Sequence, residues 1–160
     1  MVSRVDTLNT DLQHYMKLFK GCIDKNLCDN LVREMEAIEF QEHKFYDHYK
    51  REVSARSGSK ELSVSWDDCP SRSILSKKLW YVIHDYLKYI NLPWFVSWSG
   101  YTPPRFNKYN QNKQMALHCD HIQSMFDGEK KGIPILSVLG VLNNDYEGGE
   151  FIVADKKYET

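Results

Sequence analysis

Two segments in the first half of the chain repeat apolar residues at helical spacing. In the first, the residues are Leu27, Leu31, Met35 and Ile38. This spacing predicts a helix over 25–39, with Asp24 or Asn26 supplying the N-cap oxygen. In the second and longer segment they are Ile74, Leu75, Leu79, Val82, Ile83, Tyr86, Leu87 and Ile90. A helix over 72–90 is predicted there, capped by Ser71 or Ser73.

The second half of the chain has a different pattern, in which short apolar and aromatic segments alternate with Pro, Asn and Gly. We expect strands at 94–101, 104–110, 114–120, 134–142 and 149–154, and a further one beginning at Tyr158. The run 135–142 is apolar on both faces and is predicted to be buried between an inner cavity and a covering layer. Helices followed by strands indicate an α+β fold, with a sandwich or jelly roll in the second half.

These patterns indicate one domain, 1–160, with a mainly helical part at 1–91 and a β part at 92–160. Between the two helices, 41–60 is polar and without periodicity, and 54–60 has the composition of a mobile loop. We expect a surface loop, with a lid as the second interpretation.

Composition narrows the class of protein. The chain has 160 residues, of which 42% are hydrophobic, and a chain of this length can bury a core without disulfides. It carries 21 basic and 22 acidic side chains. The balanced charge argues against a nucleic-acid-binding or membrane-surface protein, and no apolar run is long enough to cross a bilayer. The four cysteines have no zinc or disulfide spacing, and no signal-peptide pattern is present, so we expect a cytoplasmic protein.

A histidine and an aspartate two positions apart form the principal candidate site. On an extended strand His118 and Asp120 point to the same face, so their side chains can reach one point. An imidazole and a carboxylate in this arrangement can supply two of the three protein ligands of a non-haem Fe(II) site. The alternative is a polar strand end whose side chains hydrogen-bond to each other, and the spacing alone does not decide between the two.

Three segments around this pair, in order, resemble the prolyl 4-hydroxylase-like branch of the Fe(II)/2-oxoglutarate dioxygenases, in its small phage and bacterial form. The segment 105–110 is similar to the strand that precedes the metal motif, and His118-Cys119-Asp120 is similar to the H-x-D motif itself. The segment 139–151 resembles the strand, Asn/Asp turn and Gly-Gly-Glu strand beneath the site. The likeness covers about 92–160 and implies helices packed on a double-stranded β-helix, or jelly roll.

The resemblance also implies a reaction. His118 and Asp120 would bind Fe(2+), and Tyr109 matches a tyrosine that contacts the 2-oxoglutarate carboxylate. The enzyme would hydroxylate a substrate C–H bond, of a prolyl residue in a peptide or protein, while 2-oxoglutarate is converted to succinate and CO2. Ascorbate is expected as a reductant. Without the resemblance, Tyr109 would be interpreted as a half-buried strand aromatic.

Substrate contacts are expected near the mouth of the cavity. The candidates are Trp98, Tyr101 and Arg105, together with the 54–60 loop. The alternative for these side chains is ordinary: two packing aromatics and a solvated arginine.

The sequence departs from the family pattern in two places. Val141 stands where many relatives have a tyrosine that helps to seat the cosubstrate. In the family, the second metal-binding histidine and the Lys or Arg that pairs with 2-oxoglutarate follow the Gly-Gly-Glu strand, and neither occurs before Thr160. We therefore expect a fragment without its C-terminal strands and with an incomplete site. The remaining histidines are poor substitutes for the third ligand: His14, His43, His48, His84 and His121.

Two other classes of function stay open at this stage. One is a catalytically inert jelly-roll domain that binds a small ligand or a protein partner. The other is a jelly-roll recognition module that holds a sugar or another small ligand in the cavity. Binding of Fe(2+) together with 2-oxoglutarate separates both classes from the enzyme.

Overall fold

A computed structural model describes residues 11–47, 52–54, 61–92, 98, 100–116, 118, 120, 132–153 and 156–158. Together they show a mixed α+β fold of two helices and a small, open, antiparallel sheet. The helices are α1 (Lys25–Glu36) and α2 (Arg72–Ile90), after a 3₁₀ turn at Leu12–Tyr15. The strands are β1 (Gln41–Glu42), β2 (Phe45–Asp47), β3 (Glu52–Ser54), β4 (Ser63–Ser65), β5 (Phe106–Lys108), β6 (Phe151–Val153) and β7 (Lys156–Tyr158).

Both predicted helices are present. Asp24 is the N-cap of α1, because its Oδ1 accepts a hydrogen bond from the Leu27 N–H at 3.0 Å. This helix ends at Glu36, earlier than predicted, and Ile38 packs against the core from the segment that follows. α2 occupies the predicted range, and its C-cap is Asn91, whose φ of 40° is left-handed. None of the helices in the described ranges combines the length and apolar composition of a membrane span.

A carboxylate fastens the end of α1 to the start of α2. Buried Ser71 donates to Glu34 twice, from its backbone N–H at 2.9 Å and from its hydroxyl at 2.6 Å. The hydroxyl of Ser71 is therefore engaged with α1 and makes no capping bond to its own helix. A negative charge at the N-terminus of α2 also suits the helix dipole. The hydroxyl bond is the main cause that lowers the pKa of Glu34.

The three-stranded sheet has the order β1-β4-β5, with β4 in the centre and both pairings antiparallel. Val64 lies opposite Gln41 on one side and opposite Asn107 on the other. The helices pack on this sheet, and the buried core cluster is formed by Leu27, Leu31, Cys69, Leu75 and Phe106. Arg72 ties the start of α2 to the loops, since its guanidinium donates to the carbonyl oxygens of Trp66, Asp67 and Pro104.

Part of the predicted irregular stretch 41–60 is ordered, which corrects that prediction. It contains β1 and the hairpin of β2 with β3, in which Tyr46 lies opposite Val53. The backbone ladder of a short hairpin does not require apolar and polar residues to alternate, so the polar residues of this stretch did not indicate strands. Residues 55–60, most of the predicted loop, lie outside the described residues.

The predicted strands of the second half are shorter or absent. β5 lies within 104–110, β6 lies within 149–154, and Tyr158 ends β7 where a strand was predicted to begin. Residues 114–116 form no strand, and most of 94–101 lies outside the described residues. The described residues form the small open sheet and two hairpins, without the closed strand arrangement of a jelly roll.

The prediction of a buried strand at 134–142 is wrong for the structure. These residues belong to no strand, and the apolar side chains from Ile133 to Val141 are 37% to 65% exposed. A strand needs a neighbour to complete its hydrogen bonds, and this segment forms no ladder with any described segment. Only at Leu142 does the run pack against the core cluster.

Candidate functional site

The side chains of His118 and Asp120 meet. Nε2 of the imidazole lies 3.0 Å from Oδ1 of the carboxylate, and the two side chains are 29% and 57% exposed. A polar contact this open to solvent contributes at most about 1 kcal/mol to folding. The contact is therefore a minor factor in stability, and the exposure leaves the pair accessible to a ligand.

A second contact orients each member of the pair. Nδ1 of His118 lies 2.8 Å from the Ala116 carbonyl oxygen, so it carries the hydrogen and donates, and Nε2 is directed towards the carboxylate. Asp120 receives a hydrogen bond at Oδ2 from the Ser137 hydroxyl at 2.6 Å. Metal-binding histidines and carboxylates are commonly oriented by contacts of this kind.

The separation of the two ligand atoms fits adjacent positions around one metal ion. Two atoms that bind an ion at right angles, each at about 2.1 Å, lie about 3 Å apart. Nε2 and Oδ1 are 3.0 Å apart. Within the described ranges, however, no third His, Cys, Asp or Glu joins them in a group arranged to hold a metal, and His121 lies outside those ranges.

A serine, a histidine and an aspartate in one cluster also suggest nucleophilic catalysis, and the geometry argues against it. In a hydrolase triad the serine hydroxyl contacts the histidine, which acts as its base. Here Ser137 donates to Asp120 instead, and Nε2 of His118 faces the same carboxylate. The serine is a support for the carboxylate.

Glu61 supports the segment through the Ala116 backbone, and the sequence alone did not single it out. Its carboxylate is buried, with the residue 4% exposed, and Oε1 accepts a hydrogen bond from the Ala116 N–H at 3.1 Å. In the sequence Glu61 is one acid beside a polar loop, so only the contact across 55 positions shows its place in the site.

His43 and Arg105 lie next to this region. Nη1 of Arg105 is 3.3 Å from Nε2 of His43, and its guanidinium lies 5.9 Å from the centre of the Trp66 ring. Burial lowers the pKa of His43, and the charge of Arg105 lowers it further, while Glu61 raises it. The neutral imidazole therefore accepts from Arg105. His43 was expected in polar, solvated surroundings, but it is half-buried, because β1 leads its backbone back to Leu62.

Tyr109, the predicted 2-oxoglutarate contact, follows β5 and is 50% exposed. Its hydroxyl points to Sδ of Met115 at 3.9 Å. Partial burial raises the pKa of the phenol, Arg105 lowers it and Glu61 raises it. Tyr109 therefore keeps its hydrogen at neutral pH and can donate a hydrogen bond.

The aromatic substrate candidates lie against α2. Trp98 stacks on Trp80 with ring centres 4.8 Å apart, and the Tyr101 ring lies 6.1 Å from Trp98. The Tyr101 hydroxyl donates to the Ser76 carbonyl oxygen at 2.9 Å. These contacts agree with the interpretation as packing aromatics. Of the three substrate candidates, Arg105 contacts His43, and His43 is influenced by Glu61, the residue that binds the Ala116 N–H.

The other histidines are accounted for in part. His84 stacks over Trp80 on α2, and His14 packs against the rings of Tyr15 and Tyr89. Neither is placed beside His118 by these contacts. His48 lies outside the described residues.

Comparisons with known proteins found no match to this chain. No family model matches the chain, and neither a curated protein nor a solved structure matches it. The interpretation of the site therefore depends on its geometry and on the three sequence segments around it.

Proposed function

We propose that this chain carries the metal-binding part of an Fe(2+)- and 2-oxoglutarate-dependent dioxygenase that hydroxylates a prolyl residue of a peptide or protein. One observation supports this most: Nε2 of His118 and Oδ1 of Asp120 approach to 3.0 Å at the position of the H-x-D motif. The proposal includes a jelly roll, of which the described sheet and the 132–153 segment would be parts.

The residues of the chain have separate roles in this proposal. His118 and Asp120 hold the metal, and Ser137 fixes the carboxylate so that Oδ1 remains turned to the imidazole. Tyr109 offers its phenolic hydrogen to a carboxylate of 2-oxoglutarate. Bound Fe(2+) and 2-oxoglutarate supply the oxidising chemistry, and ascorbate would keep the metal reduced. The metal also requires a third protein ligand, and the described residues around this pair do not supply it.

A specific observation also favours the alternative, an inert domain that binds a small ligand or a protein. If Nε2 of His118 carries a hydrogen as well as Nδ1, the 3.0 Å contact with Asp120 is a complete hydrogen bond and needs no ion between the two atoms. In that case the pair is polar surface, and the 2-oxoglutarate chemistry does not apply.

Anaerobic titration with Fe(2+) and 2-oxoglutarate distinguishes the two. The protein is expressed from its complete natural gene, and the readout is the charge-transfer absorption of iron-bound 2-oxoglutarate. The band is expected for the natural protein, and His118→Ala should weaken metal binding by at least about 100-fold. His84→Ala, on α2, is the matched control and should leave the band intact.

Two results contradict the proposal. Failure of the natural protein to bind Fe(2+) or 2-oxoglutarate would favour the inert domain. A band that persists in His118→Ala would place the metal elsewhere.

A further inference from the structure

We propose that Glu61 is a positioning residue for the candidate metal site, holding the backbone that orients the imidazole of His118. The inference rests on the proposed function, because the orientation of the imidazole matters for a metal ligand. It assigns a role to a residue more than fifty positions away in the sequence, connected to the site by two hydrogen bonds.

Ala116 connects the two side chains through its own backbone. Its N–H donates to Oε1 of Glu61 at 3.1 Å, and its carbonyl oxygen lies 2.8 Å from Nδ1 of His118. The first bond fixes the peptide group before the Ala116 Cα, and the second sets the rotation of the imidazole. If the first bond is lost, the carbonyl is free to turn, and Nε2 loses its direction towards Asp120.

The position of Glu61 in the fold makes it a firm anchor. It is two residues before β4, the central strand of the sheet, and both Glu61 and Leu62 are buried, each 4% exposed. Residues 116, 118 and 120, by contrast, belong to no helix or strand. Glu61 therefore connects the sheet to residues 116 and 118, which are described outside any strand.

The chemistry of the contact supports the same role. A buried carboxylate is costly unless it receives strong hydrogen bonds, and a backbone N–H to an ionised carboxylate is among the stronger ones. The charge of Glu61 also acts on its surroundings: it opposes the lowering of the His43 pKa by burial and Arg105, and it adds to the raising of the Tyr109 pKa by burial. The carboxylate thus contacts Ala116 directly and is close enough to His43 and Tyr109 to influence both.

The experiment measures the affinity for Co(2+) alone, by visible absorption, in the protein expressed from its complete gene. Glu61→Leu removes the acceptor and should weaken Co(2+) binding by about 10- to 100-fold. Glu61→Gln keeps an oxygen acceptor and should stay within about threefold of the natural protein. Leu62→Ala is the matched control for stability: it should unfold more easily but bind Co(2+) within about threefold.

The outcomes separate this inference from the proposed function. If the natural protein does not bind Co(2+), or His118→Ala binds it equally well, the metal site itself is wrong. If the natural protein binds Co(2+) and His118→Ala does not, but folded Glu61→Leu binds Co(2+) like the natural protein, the positioning role is overturned. Equal losses in Glu61→Leu and Glu61→Gln would also overturn it, because charge and not the hydrogen bond would then be responsible.

A second variant covers the case in which Glu61→Leu does not fold. Ala116→Pro removes the donor of the same hydrogen bond and leaves the carboxylate in place. It is expected to weaken Co(2+) binding as Glu61→Leu would. Unchanged affinity in this variant overturns the positioning role.

Discussion

Two apolar regions of this molecule behave in opposite ways. The side chains of α1, α2 and β5 bury one another, and Leu31 is fully buried. The run from Ile133 to Val141 is at least as apolar, yet its large side chains are exposed on both faces. The difference shows that apolar content alone does not produce a core: a helix has one apolar face to cover, whereas this run needs neighbours on two sides.

The candidate site connects the central strand of the sheet, β4, with the exposed run. His118 is connected through Ala116 to Glu61 beside the central strand, whereas Asp120 receives its hydrogen bond from Ser137 within the exposed run. One ligand is therefore supported by the sheet and the other by a segment without a ladder. Any layer that covers and orders the run would also affect the hydrogen bond that Asp120 receives from Ser137.

The largest expected effect is in the core. Leu31→Ala should lower the free energy of unfolding by about 2–5 kcal/mol, because the side chain is 0% exposed and its loss leaves a cavity. Leu139→Ala, at a residue 60% exposed, should change it by less than about 0.5 kcal/mol. Urea unfolding of both variants provides the measurement. Similar losses in the two would mean that the run is covered in solution and would abolish the contrast.

The next effect concerns association. Ile135→Lys combined with Leu139→Lys places two charges on the exposed run and should reduce self-association at high concentration, because exposed apolar segments promote it. Stability should change by less than about 1 kcal/mol. Light scattering and urea unfolding test both statements. Loss of folding would show that these side chains are buried in the protein as it exists in solution.

A smaller effect is expected where the run meets the site. Ser137→Ala removes the donor to Asp120 and should weaken Co(2+) binding by about 3- to 10-fold, with stability nearly unchanged, because the contact is exposed. Ser73→Ala, an exposed serine of α2, is the control. Unaltered affinity in Ser137→Ala would mean that Asp120 needs no support from the run.

The smallest effect concerns the pH dependence of stability that arises from the contact of Glu34 with Ser71. The pKa of Glu34 is lowered from 4.5 in the folded protein, so its contribution to stability is complete above about pH 4.5 and is lost as the pH falls through the folded value. Glu34→Gln should flatten this part of the stability profile. Glu36→Gln, at an exposed position of α1, should retain the slope. Urea unfolding between about pH 3 and about pH 6 measures it, and identical slopes in the two variants would contradict the assignment.

Local patterns predicted the helices well, because helical spacing relates residues only three or four positions apart. α2 matches its predicted range, and α1 starts where Asp24 caps it. The sheet was less predictable, since β1, β4 and β5 come from separate parts of the chain and β1 lies in a polar stretch. The buried strand at 134–142 was wrong because burial depends on neighbours that one segment cannot specify.

The same distinction applies to the site. His118 and Asp120 are two positions apart, so a short motif suffices to pair them. Ser137 reaches Asp120 across 17 positions and Glu61 reaches Ala116 across 55, and no spacing rule connects such residues. The supports of a site depend on how the chain returns to it, which only the structure shows.

The contact of Glu34 with Ser71 also has a consequence for chain entropy. It joins residues 37 positions apart, and so closes a loop that contains β1 to β4 together with Glu61. The entropy lost on closing a loop depends on its length, and the pairing of β1 with β4 is nested inside this loop, so each closure lowers the entropy cost of the other. The contact between the two helices and the pairing of the strands beside Glu61 therefore stabilise each other.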